Sequence, residues 1–203
     1  APEFVVCKQR SGSAGPQWYT YHVANTSGGA AEDYYLILGP GNQGTYDNII
    51  YFNDTAPTST VFSIGTSADI NGSTDTYVYY AMVGVEGFSQ FAAYIGNGSA
   101  DGPCIYTGFK PALVILKKAQ TTAVGDWIIY DSARSPYNEV DDQLLTNYNY
   151  AETTGSEEID FLSNGFKIRT TDAYVNTSTS RYVYLAFAEN PFGGDGATPA
   201  PAF

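Results

Sequence analysis

Apolar residues in this chain fall in short runs rich in Val, Ile, Tyr and Phe, separated by clusters of Gly, Pro, Asn, Asp, Ser and Thr. That alternation predicts strands joined by turns. "FVVCK" and "ALVILKK" each begin close behind a proline, Pro2 and Pro111. A proline's missing N–H does least harm at a strand start. "WYTYH" and "WIIYD" follow Gly-containing turns and read as the return arms of hairpins. "YVYYAMV" and "YVYLAFA" are almost unbroken apolar runs, which predicts central strands buried on both faces. "DINGSTD" and "YVNTSTS", just ahead of those runs, read as hairpin turns. No segment carries an amphipathic helical period of useful length.

The runs come in pairs. "PEFVVCKQR" at Pro2–Arg10 matches "PALVILKKA" at Pro111–Ala119, and "QWYTYHVAN" at Gln17–Asn25 matches "DWIIYDSAR" at Asp126–Arg134. "FSIGTSADINGSTDTYVYYAMV" at Phe62–Val83 matches "FKIRTTDAYVNTSTSRYVYLAFA" at Phe166–Ala188 across a one-residue gap. Three blocks in one order, at an offset near 105–109, mark an internal duplication. The predicted fold class is all-β, with two tandem antiparallel β-sandwich units of lectin or jelly-roll type. One laminated sandwich built from the two halves is the alternative. The boundaries read as 1–95 for the first unit, 96–103 for a Gly/Asn-rich joint, 104–192 for the second unit and 193–203 for a Gly/Pro/Ala-rich tail. Such a tail has no means of packing alone and is expected to be disordered unless a neighbour holds it. Trp18 and Tyr21 recur as Trp127 and Tyr130, which marks these four as core anchors. A strand that begins almost at Ala1 reads as a boundary inside a longer protein or repeat.

Composition narrows the function. Hydrophobic residues make up 43% of the 203, enough for a core, while a net charge of −12 argues against nucleic acid or an anionic membrane as partner. No apolar run of about eighteen residues and no signal-peptide pattern is present, so no membrane insertion is predicted. Cys7 and Cys104 are the only cysteines and both lie in strand-like runs. They read either as two buried thiols or as one long-range disulfide.

The chain offers little catalytic chemistry. His22 is the single histidine, and its repeat partner is Asp131, so the position suits a polar strand end better than a catalytic base. Glu158 and Asp160 match the first two acids of a sandwich-glucanase strand, but Ser163 stands where the third would be. Asp69, Asn71, Ser73 and Asp75 resemble the start of a calcium loop that lacks its closing Glu, with Tyr80 in that place. "EVDDQ" at Glu139–Gln143 reads as a solvated acidic loop rather than a calcium chelate. There is no phosphate-cradling glycine loop. The expectation is a non-enzyme without cofactor or metal.

What remains is the aromatic excess. Of the 18 tyrosines, Tyr106, Tyr137, Tyr148, Tyr150 and Tyr174 fall near predicted turns or strand ends. A tyrosine presents a flat apolar body and a polar tip, which suits sugar stacking and protein interfaces alike. The second unit carries a long polar insertion, Ser132–Glu158, after its Trp strand. Loops on a rigid sandwich carry binding. Tyr137, Asn138, Asp141, Tyr148 and Tyr150 are the candidate recognition residues.

Taken together, "GNGSADGPCIYTGFKPALVILKK", "GDWIIYDSAR", "IDFLSNGFKIRT" and "YVYLAFAENPF" resemble the tandem lectin-like (concanavalin A-like) repeat of tail-fibre and other virion structural proteins of tailed bacteriophages. The resemblance spans essentially the whole chain and is best in the second unit; in the first, "MVGVEGF" stands for "FAENPF". It implies a non-enzymatic virion module, located in a tail fibre or surface appendage or otherwise extracellular. Self-association, as a homotrimer or other homo-oligomer, and contact with a host-surface glycan or protein follow from the same resemblance. In such a protein the sequons at Asn25, Asn53, Asn71, Asn97 and Asn176 mean only that Asn, Ser and Thr share turns. A secreted bacterial lectin and a self-assembling filament subunit are the alternatives. Mass in solution and chelator-sensitive glycan binding separate them.

Overall fold

The computed structural model of the chain describes residues 1–12, 17–39, 44–120, 125–155 and 158–191. The tail 193–203 and Glu157 lie outside the described residues. The fold is all-β with three antiparallel sheets, and the chain divides into two compact units.

Unit 1 runs over Ala1–Val83 and takes in Ala119 and Gln120. Its strands are β1 (Phe4–Ser11), β2 (Trp18–His22), β3 (Tyr34–Leu38), β4 (Tyr46–Asp47) and β5 (Thr76–Met82). They form one sheet in the order β4-β3-β2-β1-β5. A 3-10 turn, Ala31–Asp33, leads into β3, and a one-turn helix, α1 (Ala68–Asn71), precedes β5. Val5, Cys7, Tyr19, Tyr21, Tyr35, Tyr51, Phe52 and Ile70 form the core. Tyrosines fill much of it: the rings of Tyr35 and Tyr51 stack at 3.9 Å and those of Tyr19 and Tyr51 at 4.8 Å. The Tyr51 hydroxyl donates to Asp69 Oδ2 at 2.8 Å, so a polar tip survives inside an apolar stack. Burial first, and the Asp69 carboxylate next, push Tyr19 up to about 12.

Unit 2 begins at Gly84. It contains β6 (Ser89–Ile95), β7 (Cys104–Tyr106), β8 (Pro111–Lys118), β9 (Trp127–Asp131), β10 (Leu144–Leu145), β11 (Ile159–Leu162), β12 (Gly165–Ile168), α2 (Ala173–Asn176) and β13 (Arg181–Ala188). One sheet runs β10-β9-β8-β13-β6 and the second β11-β12-β7. Their inner faces share a single core, with Val114, Leu116, Tyr130, Tyr182 and Tyr184 from one sheet against Ile105, Ile159, Phe166 and Ile168 from the other. This is a sandwich.

The pairing of β1 with β2 and β5 in unit 1 recurs residue for residue in the pairing of β8 with β9 and β13 in unit 2. Lys8 opposes Trp18 and Val5 opposes Tyr21 in unit 1; Lys117 opposes Trp127 and Val114 opposes Tyr130 in unit 2. Cys7 opposes Tyr79, and Leu116 opposes Tyr184. The segments ahead of β5 and β13, expected as plain turns, each hold a one-turn helix capped by a side chain, Ser67 in unit 1 and Asp172 in unit 2. A tyrosine at the strand start closes each turn. Tyr77 Oη accepts from Gly72 N at 2.7 Å and donates to Ala68 O at 2.5 Å, while Tyr182 Oη accepts from Thr177 N at 2.8 Å and donates to Ala173 O at 2.9 Å.

Several expectations need correction. The division falls at Val83, not at 96–103. The reason is that β6 bonds along its length to β13, from Ser89↔Phe187 to Ile95↔Arg181. The supposed joint is knitted into unit 2: Gly96 N donates to Ser180 O, and Gly98 N to Asn176 O, both at 2.9 Å. Among the described residues, unit 1 forms no second sheet. β13 is buried on both faces as expected, but β5 is an edge strand with Tyr80 51% exposed. Both cysteines are free, Cys7 buried in the unit 1 core and Cys104 exposed in β7. The disulfide is not formed, and only one of the two thiols is buried. Trp127, Tyr21 and Tyr130 are core residues, whereas Trp18 is half-buried with the Lys8 ammonium 5.7 Å from its ring centre.

Candidate functional site

The loop after β9 is held open by a short chain of polar contacts. Asp131 ends the strand, and its Oδ1 accepts from Ala133 N at 3.0 Å and Arg134 N at 2.9 Å. Arg134 then bonds Asp131 Oδ2 at 2.6 Å, Glu152 Oε2 at 2.8 Å and Ile129 O at 3.1 Å. Burial alone would raise the Asp131 carboxyl, but the hydrogen bonds from Arg134 outweigh it and hold the group below the usual range. Further on, Ser135 Oγ donates to Asp142 Oδ2 at 2.9 Å. Asn138 then clasps β11: its Nδ2 donates to Phe161 O and its Oδ1 accepts from Phe161 N, each at 2.9 Å. An amide used this way imitates a strand partner. Val140 follows with a bridge to Ile159.

Between this loop and β11 lies a groove of about 190 Å³, lined by Lys110, Ser132, Ser135, Pro136, Tyr137, Asn138, Val140 and Phe161. Tyr137 is 83% exposed, so most of its ring is free to meet a ligand. The Lys110 ammonium is paired with Glu189 Oε2 at 2.8 Å. The lining thus combines a flat aromatic ring with hydroxyls, an amide and an ammonium. That mixture suits a polyhydroxylated ring, whose C–H face stacks while its hydroxyls bond.

Of the five residues singled out from sequence, the structure brings two together, Tyr137 and Asn138. Asn138 serves as a positioning residue, with both ends of its amide on the Phe161 backbone. Tyr148 and Tyr150 form a separate pair, stacked at 4.8 Å and 7°, with Tyr150 63% exposed. Neither they nor the half-buried Asp141 line the groove. Lys110 and Phe161 escaped sequence reasoning, because nothing local ties positions 110 and 161 to the loop.

The other candidate groups take structural roles. His22 is buried, and its Nδ1 accepts from Ala24 N at 3.1 Å. Its repeat partner Asp131 accepts from its own i+2 amide in the same way. Asp160 lies 3.4 Å from the Arg169 guanidinium. Asp69 bonds Tyr51 and the α1 cap. Among the described residues, no three His, Cys, Asp or Glu side chains cluster so as to hold a metal ion.

Fold and groove together define an all-β protein with an open groove edged by an aromatic ring. The chain belongs to the family described as a domain of unknown function, DUF7483, whose profile matches residues 1–191. No curated protein and no solved structure matches it.

Proposed function

We propose that this chain is a non-enzymatic module of a tailed-phage fibre or other virion appendage, built on a duplicated β unit, and that the Tyr137 groove contacts a host-surface glycan. The virion context rests on the sequence resemblance described above. The glycan rests on one observation: Tyr137, 83% exposed, stands at the edge of a groove also lined by Lys110, Ser132, Ser135 and Asn138. Protein partners can use the same surface chemistry; an exposed ring beside hydroxyl groups is what supports the sugar. The repeated strand register supports the duplication, and duplication multiplies weak contacts.

A glycan array followed by calorimetry on the best binder tests this reading. Tyr137→Ala should weaken binding about tenfold, since an aromatic stack contributes roughly 0.5–1.5 kcal/mol beyond its buried area. Tyr150→Ala, outside the groove, should leave it unchanged. Unaltered binding in Tyr137→Ala removes the groove from the reading. Light scattering on the same sample checks assembly, for which a closed trimer is expected. Open polymers point instead to a filament subunit. A glycan-binding monomer points to a secreted lectin.

A further inference from the structure

The duplicated units differ at one edge. In unit 2, β13 lies between β8 and β6. In unit 1 its counterpart β5 pairs with β1 on the matching side, and among the described residues no strand pairs with its other side. Seven residues of "TYVYYAM" stand at that edge without a charge or a proline. Edges of soluble proteins are normally blunted by short length, Lys or Pro. The far edge of the same sheet follows that rule, since β4 has two residues. β5 does not.

Unit 2 shows what such an edge accepts. β6, "SQFAAYI", runs antiparallel to β13 in continuous register. On the core face Tyr94 stacks on Tyr182 at 5.0 Å and 12°, and its hydroxyl donates to Val175 O at 2.7 Å. Tyr184 donates to Gln90 Oε1 at 2.6 Å. On the other face Phe91 meets Phe187 edge to face at 5.9 Å. Every acceptor residue has a counterpart in unit 1: Tyr77 for Tyr182, Tyr79 for Tyr184, Ile70 for Val175 and Met82 for Phe187.

One of the hydrogen bonds that differ between the units is informative. In unit 2 the α2 carbonyl of Val175 is taken by Tyr94 from β6. In unit 1 the corresponding α1 carbonyl of Ile70 is taken by Tyr79 of the edge strand itself. Tyr79 fills the place that an incoming tyrosine occupies in the other unit. A buried carbonyl needs a donor, and Tyr79 supplies it while the edge is open. When a strand docks, its own tyrosine can take Ile70 O, which releases the Tyr79 hydroxyl from that carbonyl.

We infer that the outer edge of β5 is a strand-acceptor site, and that its occupant is an extended, uncharged segment of β6 type from another polypeptide, docking antiparallel with a tyrosine over Tyr77. This is β-augmentation, in which main-chain bonds give affinity and alternate side chains give specificity. It does not depend on the glycan reading.

The test uses the full chain and a labelled synthetic peptide with the sequence of Gly87–Asn97. Binding is followed by fluorescence anisotropy and amide exchange. Saturable binding is expected, with slowed exchange in Thr76–Met82 and unchanged exchange in Arg181–Ala188. A peptide carrying Tyr94→Phe should bind about five-fold more weakly, because it brings no donor to Ile70 O. The protein variant Tyr79→Phe should bind the parent peptide about five-fold more tightly, because the resident donor no longer competes. A merely structural Tyr79 would give unchanged or weaker binding. Absence of saturable binding overturns the inference, as does protection at β13 in place of β5. A peptide-free dimer that protects Thr76–Met82 also overturns it, by giving the edge to a second copy.

Discussion

Asn176 and Asn71 are the same residue of the two units, and they should not cost the same to remove. Asn176 is fully buried. Its Nδ2 donates to Ser99 O and Thr170 O, each at 2.7 Å, and contacts Asn97 Oδ1 at 3.2 Å, while its Oδ1 accepts from Asn97 N at 2.9 Å. It ties the α2 turn to the 96–102 loop. Asn71 is exposed and donates to Gly65 O at 2.8 Å. Each net hydrogen bond is worth about 1 kcal/mol, more where a buried partner is stranded. Asn176→Ala removes three bonds to the backbone of Ser99, Thr170 and Asn97, so it should destabilise unit 2 by about 3 kcal/mol. Asn71→Ala should cost unit 1 about 1 kcal/mol. Equilibrium urea denaturation, followed by circular dichroism and tryptophan fluorescence, measures both. A loss below about 1 kcal/mol for Asn176→Ala, or equal losses for the two variants, refutes the claim that the amide network holds the turn.

Two further outcomes follow from buried groups. Burial of Lys117, opposed by the Asp126 charge, lowers its ammonium to about 8 from an ordinary value of 10.5. Below pH 8 the folded and unfolded states both carry the proton, and the burial penalty is present in full. Between that value and 10.5 the folded state releases its proton first, so stability should rise with pH by up to about 3 kcal/mol. Above pH 10 it should fall, because burial holds Tyr94 and Tyr184 protonated while unfolded tyrosines ionise. Urea midpoints from pH 7 to 10 should show the rise and Lys117→Met should flatten it; a flat profile in the parent protein refutes the reasoning. For the thiols, Ellman's reagent should titrate one cysteine in the native protein, exposed Cys104, and the second only on unfolding, because Cys7 is buried and its thiol pushed up by burial against a counteracting hydrogen bond from Tyr79. No reactive thiol under non-reducing conditions would sink this assignment.

Much of the fold was legible because its signals are local. A proline followed by a β-branched run located β1 and β8, and "WIIYD" gave β9 to the residue. The misreadings share one cause. β5 and β13 have nearly the same apolar sequence, yet only β13 is buried on both faces, because β13 has β6 beside it and a second sheet packed on it, and among the described residues β5 has neither. A strand's neighbours are set by distant residues, and no pattern within the strand reports them. For the same reason β6 was assigned to the wrong unit, since it lies next to β5 in sequence but pairs with β13. The four-residue helices α1 and α2 were read as turns because one turn is too short to show a helical period. At the groove, Tyr137 was legible as an aromatic in a polar loop. Asn138 was legible too, but its role was not. Its partner Phe161 lies on another strand, and Lys110 enters the groove from ahead of β8.

The buried asparagines also bear on how the protein can be made. Asn25 and Asn176 each open a sequon, and each is fully buried; Asn25 exchanges hydrogen bonds with Thr45 at 2.7 and 3.0 Å. An oligosaccharide attached at either would have no room in the finished fold. In a eukaryotic secretory pathway, attachment during synthesis would compete with formation of the α2 turn and with closure of the Asn25–Thr45 contact. Expression in a compartment without oligosaccharyltransferase avoids that contest, whereas Asn53, Asn71 and Asn97, all exposed, could carry glycans without harm to either core.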